Sequence, residues 1–160
     1  MRIVVLSDSH RQFGPVQKII EQQPDADFFI HLGDSEGSLD LLPSLYPDKK
    51  FYCVSGNCDS DISLPKELVI HASGLHKIFA AHGHRYHVNY TDAVIAEEAV
   101  KNGCSIVCYG HTHVRKCTFE NGVYILNPGS CACPRDGLPP SYAYIDIVGN
   151  NPFINIVSLK

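Results

Sequence analysis

No apolar run in this 160-residue chain approaches the roughly 20 residues that a membrane-spanning helix requires, so no membrane partner is expected. A surplus of positive charge is also missing: 13 Lys and Arg stand against 17 Asp and Glu, a net charge of −4. No global field gathers DNA, RNA or acidic lipid, and no extended nucleic-acid surface is evident. The seven cysteines, at 53, 58, 104, 108, 117, 131 and 133, form no Cys-x-x-Cys pair, which removes zinc ribbons and thioredoxin-like chemistry. None has an arginine six positions on, so a Cys-x5-Arg phosphatase is out. Neither a Walker loop nor Gly-x-Gly-x-x-Gly is present. Internal repeats, low-complexity segments and linkers are lacking, and Met1-Arg2 leads into a strand-like run rather than a signal peptide. Free thiols in a reducing, cytoplasmic setting are the expectation.

What is present is histidine, nine in all, and a recurring polar punctuation of apolar runs. Arg2 to Ser7 is a continuous β-branched run, the pattern of a strand buried on both faces, and it ends at Asp8-Ser9-His10. Gly14-Pro15 opens a helical pattern with Val16, Ile19 and Ile20 on one face, stopped at Pro24-Asp25. Asp27 to Leu32 is a second buried run and ends at Gly33-Asp34. Gly37 to Tyr46 predicts a short helix broken by Pro43. Phe51 to Val54 is a third strand, ending at Gly56-Asn57-Cys58-Asp59. This alternation points to the α/β class with a largely parallel sheet.

The second half changes character. Glu67 to His71 and Leu75 to Ala81 read as a hairpin around Ser73-Gly74, the second strand ending at His82-Gly83-His84. Thr91 to Asn102 is the clearest helix, with Thr91 as cap and Ala93, Ile95, Ala96, Ala99 and Val100 as apolar positions. Ser105 to Tyr109 is a short buried strand that leads into Gly110-His111-Thr112-His113. Val114 to Thr118 and Val123 to Leu126 flank a hairpin turn at Glu120-Asn121-Gly122. Tyr142 to Val148 and Phe153 to Val157 close the chain as two alternating strands. Asn127 to Ser130 reads as a turn, and the proline-rich stretch 131–140 as a mobile surface loop. Cys53, Cys104, Cys108 and Cys117 read as small core residues. The length suits one domain over 1–160.

Gly110 lets the chain turn, and two histidines one residue apart reach one point if the backbone stays extended. Alone, that stretch fits a metal site or an exposed polar turn. Its company decides. Five strand-like runs end in a polar cluster: Asp8/His10, Asp34, Asn57, His82/His84 and His111/His113. Ligands bind at the carboxyl ends of strands in α/β sheets, so the five clusters should converge. Two aspartates, one asparagine and three or four histidines suffice for two divalent ions with one carboxylate bridging. Imidazole mixed with carboxylate suits Mn, Fe, Zn or Ni more than Ca or Mg. Two carboxylates against two dications leave about two positive charges, which attract phosphate. Two metals about 3.5–4 Å apart can acidify a shared water and hold phosphoryl oxygens for in-line attack.

The ordered set Asp8-x-His10, Gly33-Asp34, Gly56-Asn57, His82-Gly83-His84 and Gly110-His111-Thr112-His113 resembles the calcineurin-like metallophosphoesterases. Asn57-Cys58-Asp59 and Asn127-Pro128-Gly129-Ser130 resemble their small bacterial and archaeal phosphodiesterase branch, over roughly the whole chain. The resemblance implies an αββα sandwich of two mixed β-sheets flanked by helices. It implies that Asp8, His10, Asp34 and His113 hold one metal, and Asp34, Asn57, His82 and His111 the other, Asp34 bridging. Manganese leads as the ion, with nickel, zinc, iron or cobalt as alternatives. The implied reaction is hydrolysis of small or nucleotide-like phosphodiesters by a metal-bridging hydroxide.

Two positions depart from the pattern. Many relatives carry a histidine after the asparagine, where this chain has Cys58, a weak acid. Asn57 then stands as ligand and catalytic position together, and His84 as the alternative proton donor or phosphate contact. Arg11 stands where glycine is frequent, and reads as a solvated arginine or a phosphate contact. His31, inside a strand, is expected to pack or to support Asp34. The competing functions are a phosphomonoesterase on the same site and a non-catalytic scaffold like the small subunit of retromer. Homo-oligomerisation stays open.

Overall fold

The computed structural model describes residues 1–159. The chain runs β1 (Arg2–Leu6), α1 (Phe13–Gln22), β2 (Phe28–His31), α2 (Leu42–Leu45), β3 (Phe51–Cys53), β4 (Glu67–His71) and β5 (Lys77–Ala81). A 3-10 turn at His84–Tyr86 precedes α3 (Ala93–Lys101), β6 (Ile106–Cys108), β7 (Arg115–Glu120), β8 (Val123–Pro128), β9 (Ser141–Val148) and β10 (Asn151–Ser158).

Alternation within the strands sets the layers, because successive side chains of a strand point to opposite faces. On β1, Ile3 and Val5 enter one core while Val4 and Leu6 enter another. On β2, Phe28 and Ile30 join the first core and Phe29 the second. Ile78 and Ala80 of β5, and Ile106 and Cys108 of β6, also reach the first core, which therefore lies between two sheets. The second core packs β1 and β2 against Val16, Ile19 and Ile20 of α1 and Leu42 of α2. The third packs Phe79, Val107 and Ile125 against Ile95 and Ala99 of α3. The result is helix, sheet, sheet, helix. Each fully buried aliphatic chain is worth roughly 1.5–3 kcal/mol over its exposed form, which is why the unbroken apolar runs become strands covered on both sides.

One sheet has the order β10-β9-β1-β2-β3, the other β4-β5-β6-β8-β7. Four pairings are parallel and four antiparallel, so strand–helix alternation alone pointed to too much parallel sheet. The hairpin β4–β5 and the antiparallel β9 break the pattern. Pro43 does not break a helix: it opens α2, where a missing N–H is harmless. In α3 the N-cap is Asp92, although the Thr91 hydroxyl still accepts the amide of Ala93 at 3.2 Å. Val100 faces solvent rather than the core, and Cys117 is exposed. The stretch 131–140 is tied down: Cys131 is fully buried, Arg135 donates its amide to the carbonyl of His113, and Asp136 pairs with Arg115. All seven cysteines are free thiols.

The parallel pairs position the site. β1, β2 and β3 run the same way, as do β5 and β6, and the two sheets lie face to face. Their carboxyl ends meet at one rim.

Candidate metal centre

Backbone pairing continues past the ends of β1 and β2. The amide of Asp8 donates to the Gly33 carbonyl, that of His10 to Asp34, and that of Arg11 to Ser35. The loops are thus zipped together, and the side chains of Asp8, His10 and Asp34 emerge side by side. Asp34 Oδ1 accepts the amide of Cys58 at 2.8 Å, which draws in the loop after β3. Gly56 is required there, since a Cβ would stand 2.0 Å from Asp34 Oδ1.

The loop after β6 arrives from the other sheet. Asp8 Oδ2 accepts the amide of His111 at 3.1 Å. Gly110 is needed for room rather than for a turn: a Cβ would meet Ser7 Oγ at 1.9 Å and Asp8 Oδ2 at 2.7 Å. The left-handed bends fall on His111 (φ 67°) and His113 (φ 59°) instead, so the backbone expected to stay extended is curled. Asn127 holds the curl by donating to the Gly110 carbonyl at 2.9 Å and to Thr112 Oγ1 at 3.0 Å. Ser130 donates to the Asp8 carbonyl at 2.8 Å. The turn 127–130 is therefore a clamp on both halves of the centre.

Three imidazoles point into this space, each fixed through Nδ1. His10 Nδ1 donates to Glu36 Oε1 at 2.8 Å, His82 Nδ1 to the Leu32 carbonyl at 2.7 Å, and His113 Nδ1 to the Cys133 carbonyl. All three partners are pure acceptors, so each neutral ring carries its proton on Nδ1 and a bare lone pair on Nε2. Those lone pairs face other acceptors. His10 Nε2 and His113 Nε2 are 3.1 Å apart. His82 Nε2 lies 3.2 Å from Asn57 Oδ1 and 3.3 Å from Asp34 Oδ2. His113 Nε2 is 3.2 Å from Asp8 Oδ1, an oxygen that is buried and accepts no hydrogen bond among the described residues. Acceptors crowded against acceptors fit a cation, as does their mixture of imidazole, carboxylate and amide oxygen.

Among the described residues, candidate ligand atoms within 4.8 Å of one another form an outer set, His10, Glu36 and Cys58, and two inner sets, Asp8, His10, His113 and Asp8, Asp34, His82; Asn57 adjoins the last through its contact with His82. Asp8 belongs to both inner sets and Asp34 to one. His111 belongs to none of the three. Its ring stands 5.1 Å from that of His82, but its Nε2 pairs with Asn89 Nδ2 at 3.0 Å, leaving Nδ1 as its other nitrogen. His84 sits behind, 5.4 Å from the His82 ring, with a buried Nδ1 that has no hydrogen-bond partner among the described residues.

The titration behaviour follows. Burial works against the charge on Asp8 and Asp34, but His113 beside Asp8, and His82 together with the Cys58 amide beside Asp34, outweigh it, so both carboxyls sit below their usual range. Burial likewise opposes protonation of His82 and His113, and the same two carboxylates overcome it, so both rings hold a proton more tightly than usual. His84 and His111 go the other way, lowered by burial and then by the charge of His82. Burial, followed by the Asp34 contact, pushes the Cys58 thiol up to about 11.

Other residues named from the sequence stand around this core. His31 is buried and neutral, with a pKa brought down to about 4 by that burial. It accepts the Gly33 amide on Nδ1 at 3.2 Å and shares Nε2–H with Ser9 Oγ at 3.0 Å, so it braces both loops rather than the Asp34 side chain. Arg11 is exposed and donates Nε–H to Glu36 Oε2 at 2.9 Å. Sequence reasoning gave no role to Glu36, Asn89 or Asp59. Asp59 accepts the amides of Asp34, Ser35, Glu36 and Gly56. It stood next to Asn57-Cys58 in plain view, but a carboxylate that binds backbone leaves no spacing signature.

Residues 1–150 match the family described as the calcineurin-like phosphoesterase superfamily domain. The probable metallophosphoesterase YsnB of Bacillus subtilis is 32% identical over 149 residues, 92% of this chain and 85% of that protein. Phosphodiesterase YfcE of Escherichia coli K12 is 27% identical over a 184-residue alignment that covers 100% of this chain and 93% of that one. The crystal structure of a predicted phosphoesterase from Streptococcus pneumoniae superposes with a TM-score of 0.83 at 29% identity, covering 98% of this chain and 88% of its own.

Proposed function

The chain belongs to the calcineurin-like phosphoesterase superfamily and is a metal-dependent phosphoester hydrolase, and from that premise we propose that it cleaves small phosphodiesters at a two-metal centre. The observation that carries the reading is the set of acceptors turned on one another at Asp8, His10, His82, His113 and Asn57. Asp8, His10 and His113, with Asp34, would hold one ion. Asp34, Asn57, His82 and His111 would hold the second. Manganese leads among the ions the donor set suits, with nickel, zinc, iron and cobalt as alternatives. When bound, such a pair acidifies water and offsets the charge of phosphoryl oxygens.

The chain's own residues do the rest. Asn127, Ser130 and Asp59 fix the loops that carry the ligands. Cys58 stands where the leaving group departs, and a thiol raised to about 11 gives up a proton poorly, so esters of acidic alcohols should react best. His84 remains the alternative donor. Phosphodiesterase activity is favoured over phosphomonoesterase because the name of the relative YfcE states it. The whole chain is read as one such domain, working in the cytoplasm.

The test is a pair of aryl substrates, a bis(nitrophenyl) phosphate and a nitrophenyl phosphate, each assayed with Mn, Ni, Zn, Co and Mg. Faster turnover of the diester, lost in folded His82→Ala and Asp34→Asn, is expected. Faster turnover of the monoester would move the assignment to a phosphomonoesterase. No hydrolysis with any ion, in a protein whose partner binding survives Asp34→Asn, would leave the scaffold reading.

A further inference from the structure

The geometry points to Glu36 as a positioning residue that sets the affinity of the centre for the ion on the His10 side. The inference rests on the reading above, that His10 faces a divalent ion. Of the three inward imidazoles, His82 and His113 donate Nδ1–H to neutral backbone carbonyls, of Leu32 and Cys133. His10 alone donates to a carboxylate, Glu36 Oε1. A carboxylate on the far nitrogen fixes the tautomer, holds the ring orientation and makes the near nitrogen a stronger donor to a metal.

Glu36 is built into place. Its side chain is only 17% exposed, although it belongs to a loop. Its second oxygen accepts from Arg11 Nε at 2.9 Å, so the carboxylate cannot rotate without losing one partner. Its backbone is left-handed, with φ 49°, a conformation a non-glycine residue holds only under constraint. The constraint is Asp59, whose Oδ1 accepts the Glu36 amide at 2.6 Å. A glutamate kept in a strained conformation, with both oxygens assigned, is a fixed part of the centre. Arg11 balances the charge of that carboxylate on its solvent side.

The experiment is calorimetric titration of Mn²⁺ alone into the chelator-stripped chain. Wild type is expected to show two classes of site. Glu36→Ala should weaken one class by roughly tenfold to a hundredfold and leave the other unchanged. Glu36→Gln keeps an acceptor for His10 without the charge and should fall between. Arg11→Ala should stay within about threefold of wild type, since the His10 contact survives it. A general loosening of the loop would weaken both classes, which separates positioning from mere structure. Wild-type affinity in the glutamine and alanine variants overturns the inference while the metal reading stands. Equal losses in Arg11→Ala and Glu36→Ala also overturn it, because the effect would then belong to the loop. If Glu36→Ala does not fold, Glu36→Gln decides by the same criterion. No Mn²⁺ uptake by wild type overturns the metal reading, and this inference with it.

Discussion

Asp59→Asn tests how the centre is held together. One carboxylate collects the amides of Asp34 at 2.8 Å, Ser35 at 2.8 Å, Glu36 at 2.6 Å and Gly56 at 2.8 Å, with the Ser35 hydroxyl at 3.0 Å. Burial opposes its charge, and the amide donors more than compensate, so it titrates below the ordinary carboxyl. A hydrogen bond to a charged group contributes about 1.5–3 kcal/mol. Five simply added would rival the whole stability of a domain, so they do not add. Asparagine keeps Oδ1 for Ser35 and Glu36 but turns an NH₂ toward the amides of Asp34 and Gly56. A cavity of about 520 Å³ lined by Ser35, Gly37 and Asp59 lets water reach the displaced groups. Two charge-assisted bonds are lost and water partly replaces them, so the loss falls at the low end of their sum, on the order of 3–4 kcal/mol. In a chain of this length 1 kcal/mol moves Tm by about 2–4 °C, so a fall of about 6–16 °C follows. Affinity for Mn²⁺ should fall as well, because Asp34 and Glu36 hang from the same amides. Asp61→Asn, exposed and bonded only to the Ser63 amide, should change neither. The native Asp59 carboxylate holds its proton less tightly than the unfolded one, so the gap between wild type and variant should close as pH falls below about 4. Thermal melts and metal titrations of the stripped proteins measure all of this. A Tm within 2 °C of wild type, with unchanged Mn²⁺ affinity, would refute the reasoning.

Two further outcomes follow from the same geometry. Gly110→Ala places a methyl 1.9 Å from Ser7 Oγ and 2.7 Å from Asp8 Oδ2 and should cost about 1–3 kcal/mol in urea denaturation, together with most of the hydrolysis; a stable, active variant would refute the packing argument. His31, brought down to about 4 by burial, gives its full stabilisation above the unfolded value of 6.5 and loses it as pH falls through 6.5 to 4, about 3 kcal/mol in all. His82 and His113, raised by their carboxylates, stabilise the stripped protein fully below 6.5 and lose that as pH climbs through their native values. The stripped protein should thus melt highest near pH 6.5, and bound Mn²⁺ should move the optimum upward; a melting temperature flat from pH 6.5 to 4.5 would count against the neutral, buried His31.

Strand existence was readable from the residues because each run is apolar on both faces, as in Ile3 to Leu6, and both faces are covered. Sheet membership was not. Whether β5 continues the first sheet or starts a second depends on long-range pairing, and only the resemblance supplied two sheets. At the site, side chains that end strands could be named in advance: Asp8, His10, Asp34, Asn57, His82 and His113 do lie together. What escaped was everything that acts through the backbone. Asn127, Ser130 and Asp59 bind carbonyls and amides, and a residue that does so carries no periodic or spacing signal. Glu36 escaped for a related reason, since its partner His10 is remote from it in sequence. Gly110 was singled out correctly and explained wrongly: close approach of Ser7 and Asp8 excludes a side chain there.

Among the described residues, nine other than glycine have positive φ, and seven of these lie in the loops of the centre: Asp8, His10, Arg11, Asp34, Glu36, His111 and His113. At about 1–2 kcal/mol each, this strain is on the order of 10 kcal/mol, comparable to the net stability of a domain. It cannot be held by any one contact. The ladder from β1 to β2 continues through three bent pairs, Asp8 to Gly33, His10 to Asp34 and Arg11 to Ser35, so the bends keep backbone bonds that straight strands would lose on diverging. Asp59 fixes the second of these loops, Ser130 the first, and Asn127 the third, which bears His111 and His113. Three clamps, each made by side chains reaching from elsewhere in the chain, therefore hold three strained loops whose ligands meet. These clamps bind backbone groups of the chain itself, so the constraint they place on the loops does not depend on a bound ion. Strain shared among three loops and three clamps predicts that removing any one clamp loosens more than the loop it touches, which thermal melts of Asp59→Asn, Ser130→Ala and Asn127→Ala would compare.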